Sequence, residues 1–354
     1  MTSVLIGEIS SYKAIVIARF IKRNYPSVRV VTFDNRAFTG LFHTRFTHKH
    51  YVLKAKSTKD LTEDLSYLIA RENITWFFPV HSDSIGEFLQ KRHLFSNTLS
   101  YVGSIDDYQQ LHNKQLLPAL AAKTGLRVPV AYENLQQAKL PVVVKPSASS
   151  SAKNVNYIRT ELERENCLQK NLGNYVVQEY VQGFGCGYSA FVRNGEILVG
   201  YGHKREAEFP VSGGSSVYRT AYEHPDMRLH AERILKEIKW SGFIMFEFKV
   251  NLQNELILIE INPRIWGSIH QGLANHCNYF SPLLGALANE NVTRQQQFTF
   301  LAPQVFYSMM RYLLKGNVKP LLNFMARALR NKSDIAPLSD PFAWMSAVLR
   351  FVLK

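Results

Sequence analysis

Residues 240–268 read WSGFIMFEFKVNLQNELILIEINPRIWGS. Residues 243–250 alternate weakly, 251–254 supply turn residues, and 255–261 are a run of Leu and Ile broken by Glu260, a pattern that predicts a β-hairpin. Glu247 and Glu260 then lie mid-strand, thirteen residues apart, a separation that fits a strand, a turn and a return strand with both carboxylates on one face. Asn262 shares that face, because side chains two apart on a strand point the same way. Two crowded carboxylates repel each other, and without a cation one should protonate or both should be squeezed into water. A hard divalent ion bound through oxygen removes that cost; Mg²⁺ carrying substrate phosphates is the first expectation and Mn²⁺ the alternative. Pro263 and Arg264 end the strand abruptly and deliver a guanidinium beside the carboxylates, where an anion would be its partner.

The string Glu260-Ile261-Asn262-Pro263-Arg264, with Glu247 on the strand before it, resembles the metal-binding hairpin of the ATP-grasp superfamily. It looks most like the branch that contains carbamoyl-phosphate synthase, biotin carboxylase and amino-acid ligases. By that resemblance Glu247, Glu260 and Asn262 would hold the metal, and Arg264 would face the transferred phosphoryl group or the acyl phosphate. The implied fold mixes α/β and α+β layers: a small parallel α/β domain over 1–110, the ATP-grasp domain over 111–300 with a lid at about 142–184, and a helical extension over 301–354.

The whole chain sets outer bounds. Its 354 residues favour two or three structural units, and 46% apolar composition suffices for a buried core. No run of 18 apolar residues exists to span a bilayer. The opening MTSVLIGEIS lacks a basic signal region, so a cytoplasmic setting is expected. Cys167, Cys186 and Cys277 are too few and scattered for a disulfide framework or a zinc site. The net charge of +14 asks for an anionic partner. Zinc-finger spacing, aromatic-glycine RNA-binding strings and dense Lys/Arg blocks are missing, which makes nucleic acid the weakest choice.

Residues 1–110 alternate in the β-α manner, with strands at 4–6, 29–33, 51–53 and 75–80 and helices at 14–23, 61–72 and 85–92. Such alternation implies a small parallel sheet whose ligands gather at the carboxyl ends of the strands, where His81, Ser82 and Asp83 fall. Farther on, Lys114 precedes a helix and the stop Gly125-Leu126-Arg127-Val128-Pro129. Taken alone, Lys114 would be a surface lysine; by the resemblance it reaches ATP phosphates. Residues 141–145, PVVVK, form an apolar strand ending in Lys145, the second expected phosphate lysine. The loop 147–152, which includes Ser149, could wrap phosphate oxygens with backbone N–H groups and hydroxyls, or be a plain turn. It carries no glycine, unlike its counterparts in the family. Residues 174–181, NYVVQEYV, read as a strand, and the resemblance places Gln178, Glu179 and Val181 at the adenine edge, the last two through their backbones. Strands follow at 188–192 and 196–203 around the Asn194-Gly195 turn. His203, Lys204 and Arg205 then precede Gly213 and Gly214, suggesting a carboxylate or phosphate site; by the resemblance Lys204 and Arg205 lie near the terminal phosphate or the acyl substrate.

After about residue 300 the pattern turns helical, at 304–314, 320–330 and 342–354. From Leu301 onward eight Lys/Arg face two Asp, with Phe, Met, Trp and Leu at the apolar positions. Such a tail ordinarily packs on its own domain or on a partner subunit, a homodimer included. Contact with an anionic membrane surface is the less favoured alternative. Since every motif lies before residue 270, the tail is not expected to help build the site.

The function implied is that of an ATP-dependent ligase that activates a carboxylate as an acyl phosphate and passes it to an amine or similar nucleophile. Phosphorylation of carboxyphosphate or carbamate is the rival enzyme reading. A non-catalytic nucleotide-binding sensor or assembly subunit is the rival from another class.

Overall fold

The computed structural model describes all residues except 36–43, 54–57, 81, 96–97, 101–102, 148–153, 171–172, 212, 288–295, 336 and 353–354. The first unit is built from Ser3–Ile6 (β1), Tyr12–Asn24 (α1), Arg29–Asp34 (β2), Lys49–Val52 (β3), Thr58–Arg71 (α2), Trp76–Phe78 (β4) and Ser82–Gln90 (α3). Its strands form a parallel sheet in the order β3-β2-β1-β4, as the β-α alternation implies. Val4, Leu5, Val30, Val31, Phe77 and Phe78 are buried, as expected of strands covered on both faces. At the carboxyl end of β1, Glu8 adopts φ 49°, unusual for a residue with a side chain, and its carboxylate accepts from the Val80 N–H at 3.3 Å.

Ile105–His112 (α4) and Leu117–Thr124 (α5) lead to the second unit. Ser104 and Asp107 form a reciprocal capping box that starts α4, and Gly125, at φ 69°, closes α5. Ala131–Tyr132 (β5), Val142–Pro146 (β6), Asn156–Ile158 (β7), Glu161–Leu168 (α6) and Tyr175–Glu179 (β8) make an antiparallel sheet of order β5-β8-β6-β7 with a small core of its own around Val142, Val144, Ile158 and Val177.

The rest folds around one large sheet. Phe184–Arg193 (β9), Glu196–Phe209 (β10), Ser215–Ala221 (β11), Pro225–Glu237 (α7), Gly242–Val250 (β12), Leu256–Asn262 (β13), Ile269–Ala274 (α8), Ser281–Leu284 (α9), Phe298–Phe300 (β14), Gln304–Leu314 (α10), Lys319–Ala326 (α11), Asn331–Ser333 (β15) and Pro341–Val352 (α12) follow in order. The seven strands run β13-β12-β9-β10-β11-β14-β15. One apolar core joins this sheet to the first unit, with Phe78 packed edge-on against Phe243 and Phe280.

The extension is not an appendage. Its strand β15 joins the main sheet alongside β14, and Val305 and Met309 of α10 pack with Ala207, Val217, Tyr218 and Phe298 in a third core. Asp334, just after β15, is fully buried and bound through both oxygens by Arg219 Nη1 at 2.9 and 2.7 Å. His270 Nδ1 lies 2.9 Å from Asp334 Oδ1, and Arg19 of α1 reaches His270 Nε2 at 3.2 Å. The tail therefore supplies the carboxylate that joins α1, α8 and β11. The helical reading of 301–354 did not foresee β15. Three-residue strands leave no periodic trace, and the Arg219–Asp334 pair spans 115 residues of sequence.

Candidate active site

Strands β12 and β13 pair as the hairpin reading requires, with Glu247 directly opposite Glu260 and Met245 opposite Asn262. Beyond the glutamates the register slips, from Glu247↔Glu260 to Phe248↔Leu258, so Ile259 is the extra residue of a β-bulge. Lys145 Nζ donates to the carbonyl of this bulged residue at 3.3 Å. Lys114 Nζ lies 3.2 Å from Glu260 Oε2. Both lysines are buried, and burial pushes Lys145 down to about 8 despite the pull of Glu260.

Asn262 Nδ2 donates to both carboxylates, at 3.2 Å to Glu247 and 2.9 Å to Glu260, and Asn262 Oδ1 accepts from Arg264 Nη2 at 2.8 Å. Arg264 Nη1 donates to the Ile265 carbonyl at 3.0 Å, and its buried Nε has no partner among the described residues. Arg205 of β10 binds Glu247 through Nη2 and Glu208 through Nη1 at 3.3 Å. Gly185 and Gly187 of β9 allow this approach: a Cβ at Gly185 would meet the Arg205 side chain at 3.0 Å, and one at Gly187 would meet His203 at 2.8 Å.

The two carboxylates are held differently. For Glu247, burial outweighs Arg205, and the Glu260 charge adds to it, so its carboxyl is raised. For Glu260, burial is overcome by Lys114 and Lys145, which hold it well below the usual carboxylate range. His203, buried beside Arg205 and Arg219, is pushed down to about 3 and is neutral; its Nε2 lies 3.1 Å from Ser268 Oγ. Burial raises Cys186 and Cys277 to about 12, which removes them as nucleophiles near neutral pH.

Glu247, Glu260, Asn262, Arg264, Lys114, Lys145 and Arg205 thus converge. Lys204 does not: it alternates with Arg205 along β10 and stands over the Phe184 ring at 4.3 Å, on the other face of the sheet. Gln178 is buried on β8 opposite Val143, while the Glu179 N–H donates to Val130 O at 2.8 Å and the Val181 carbonyl accepts from Lys249 Nζ at 2.9 Å. Ser149 and His81 lie outside the described residues, and Ser82 and Asp83 open α3. Sequence reasoning passed over Lys13, whose Nζ donates to the Val80 carbonyl and, at 3.4 Å, to that of Ile265, tying the first unit to the residue after Arg264. It also passed over Arg219, though an arginine amid the apolar alternation of SSVYRTA was a readable signal.

Four cations (Lys114, Lys145, Arg205, Arg264) meet three carboxylates (Glu247, Glu260, Glu208), so the site carries surplus positive charge. Among the described residues no three His, Cys, Asp or Glu side chains are grouped to hold a metal. A cation here would have two carboxylates and an amide, a donor set that suits Mg²⁺ completed by water and phosphate oxygens.

A sequence model of the ATP-grasp domain matches residues 111–268. Residues 111–268 thus carry the sequence pattern of an ATP-grasp domain. The match begins just before Lys114 and ends just after Arg264, so it spans the converging residues. Solved structures share the fold. Biotin carboxylase from Campylobacter jejuni superposes with a TM-score of 0.66 at 12% identity, over 84% of this chain and 74% of that one. The biotin carboxylase domain of 2-oxoglutarate carboxylase from Hydrogenobacter thermophilus, solved with MgADP and bicarbonate, gives 0.63 at 13%, over 83% and 71%. L-amino acid ligase from Bacillus licheniformis gives 0.59 at 15%, over 78% and 69%. No curated protein matches the chain in sequence. The matched segment contains the smaller sheet, β5–β8, with Lys145, and strands β9–β13 of the larger one, with Arg205 and the glutamate pair.

Proposed function

We propose that this ATP-grasp protein is an ATP-dependent ligase that converts a carboxylate into an acyl phosphate and transfers the acyl group to an amine or similar nucleophile. The observation that carries the reading is the Glu247/Glu260 pair set directly opposite across β12 and β13 and ringed by Lys114, Lys145, Arg205 and Arg264.

Glu247, Glu260 and Asn262 would hold Mg²⁺, which when bound screens the charge between phosphate oxygens. Lys114 and Lys145 bind the polyphosphate, and Gln178 and Glu179 of β8, with Val181 just beyond it, would meet the adenine edge. A carboxylate oxygen of the acid attacks the γ-phosphorus; the bond to the bridging oxygen breaks and ADP leaves. The amine lone pair then attacks the activated carbonyl carbon, phosphate departs with the former carboxylate oxygen, and the nitrogen loses a proton. Arg264, with its buried Nε free of partners among the described residues, stabilises the oxyanion of the tetrahedral intermediate. Arg205 orients Glu247 and adds positive charge beside the transferred group. Lys204, over Phe184, takes no part.

A second reading, with bicarbonate or carbamate as the acid, draws on the solved carboxylase domain that carries bicarbonate. A screen of amino acids and small acids, singly and in pairs and with bicarbonate alone, for ADP and phosphate release tests both. Release that requires an acid and an amine together supports the ligase, release with bicarbonate alone supports the second reading, and no release with any of them counts against both.

A further inference from the structure

We propose that the outer face of α10 and α11 is a docking surface for an anionic lipid bilayer, on which the protein sits peripherally. The inner faces of these helices are committed, since Val305 and Met309 are buried and Leu321 and Phe324 pack against the same core. Ser308 Oγ donates to the Glu208 carbonyl at 2.9 Å, which fastens α10 to β10. The opposite faces are apolar and exposed. Phe306, Met310 and Leu314 recur every four residues along α10, and Leu322, Met325 and Leu329 continue the stripe from α11, Leu329 being 98% exposed. The Phe306 ring lies 6.1 Å from that of Phe324, so α10 and α11 are neighbours.

Charge selects the occupant. The only acidic residues after Leu301 are Asp334 and Asp340. Both are buried and turned inward, Asp334 to Arg219 and Asp340 to Thr44. Arg311, Lys315, Lys319, Arg330 and Lys332 are exposed around the apolar stripes, and no carboxylate of this segment reaches the surface. A second copy docked on the same face would set these cations against themselves, since a two-fold contact joins identical patches. An anionic membrane instead meets the leucines and methionines with acyl chains and the cations with headgroups. The helices are too short to cross it, and among the described residues no helix is long and apolar enough to do so.

Sedimentation of the full chain with vesicles of mixed phosphatidylglycerol and phosphatidylcholine, against phosphatidylcholine alone, tests the proposal. The expected result is co-sedimentation with the anionic vesicles only, reversed by salt as the Debye length shrinks from about 10 Å at 0.1 M to about 3 Å at 1 M. The Leu314→Glu/Leu322→Glu variant should lose at least tenfold in partitioning while keeping its melting temperature. Lys315→Gln/Lys319→Gln should lose about fivefold per charge. Equal recovery with both vesicle types, or a double glutamate variant that still binds, would overturn the proposal. So would a lipid-independent dimer, or a complex with an acidic protein but not with vesicles, abolished by the same variant.

Discussion

Replacing Asp334 with Asn should unsettle the protein far more than an ordinary surface change. The wild-type carboxylate and the Arg219 guanidinium are both 0% exposed, joined by two hydrogen bonds of 2.9 and 2.7 Å, with His270 Nδ1 a further 2.9 Å away. Asparagine keeps the volume but removes the charge, leaving a buried guanidinium without its counter-ion. Losses of about 3–5 kcal/mol are typical when one member of a buried pair is removed. With an unfolding entropy of about 2.1 cal/mol/K per residue, a chain of this length should melt about 4–7 °C lower. Differential scanning fluorimetry at fixed pH and scan rate reads this directly. Arg219→Met/Asp334→Leu, which removes both charges, should recover most of the loss. The sign with pH is also fixed. Burial alone would raise the Asp334 carboxyl, but Arg219 and His270 hold it below its ordinary 3.8, so its contribution is complete above that pH and is lost as pH falls through the lower folded value. A single variant that melts within 1 °C of the parent would refute the argument that the tail's carboxylate sustains the sheet.

Other outcomes follow from the site. Glu260→Gln should abolish turnover while the protein stays folded, and Glu247→Gln should do so less severely; undiminished phosphate release in Glu260→Gln would remove the metal assignment. Lys145→Met should weaken ATP binding by ~1.5–3 kcal/mol in calorimetry, the range for a charge-assisted hydrogen bond. Because burial holds Lys145 at about 8, wild-type affinity should be full below that pH and decline above it, so the gap between wild type and Lys145→Met should narrow at pH 9. Truncation before Asn317 removes β15 and Asp334, and should lower the melting temperature at least as far as Asp334→Asn does.

What the sequence revealed and concealed follows from the range of the interactions. The β12–β13 hairpin was legible because alternation, turn residues and the Glu247/Glu260 spacing are local, and the pair stands directly opposite as the spacing implies. The β-α alternation of the first unit was legible for the same reason. The helices after residue 300 were also legible, the one over 304–314 at both ends. The two strands between and beside them were not, because three residues carry no period. Lys204 and Arg205 were read together, although strand alternation separates any two adjacent side chains; only Arg205 reaches Glu247. The Ile259 bulge that receives Lys145 arises from a register slip that neither strand records alone.

The central claim is that an oxygen of the acid substrate passes to phosphate through an acyl phosphate. Once the screen supplies an active acid and amine, turnover with the acid labelled by ¹⁸O in its carboxylate, followed by mass spectrometry of the released phosphate, tests it directly. One labelled oxygen in each phosphate is the predicted result, and unlabelled phosphate would contradict the account.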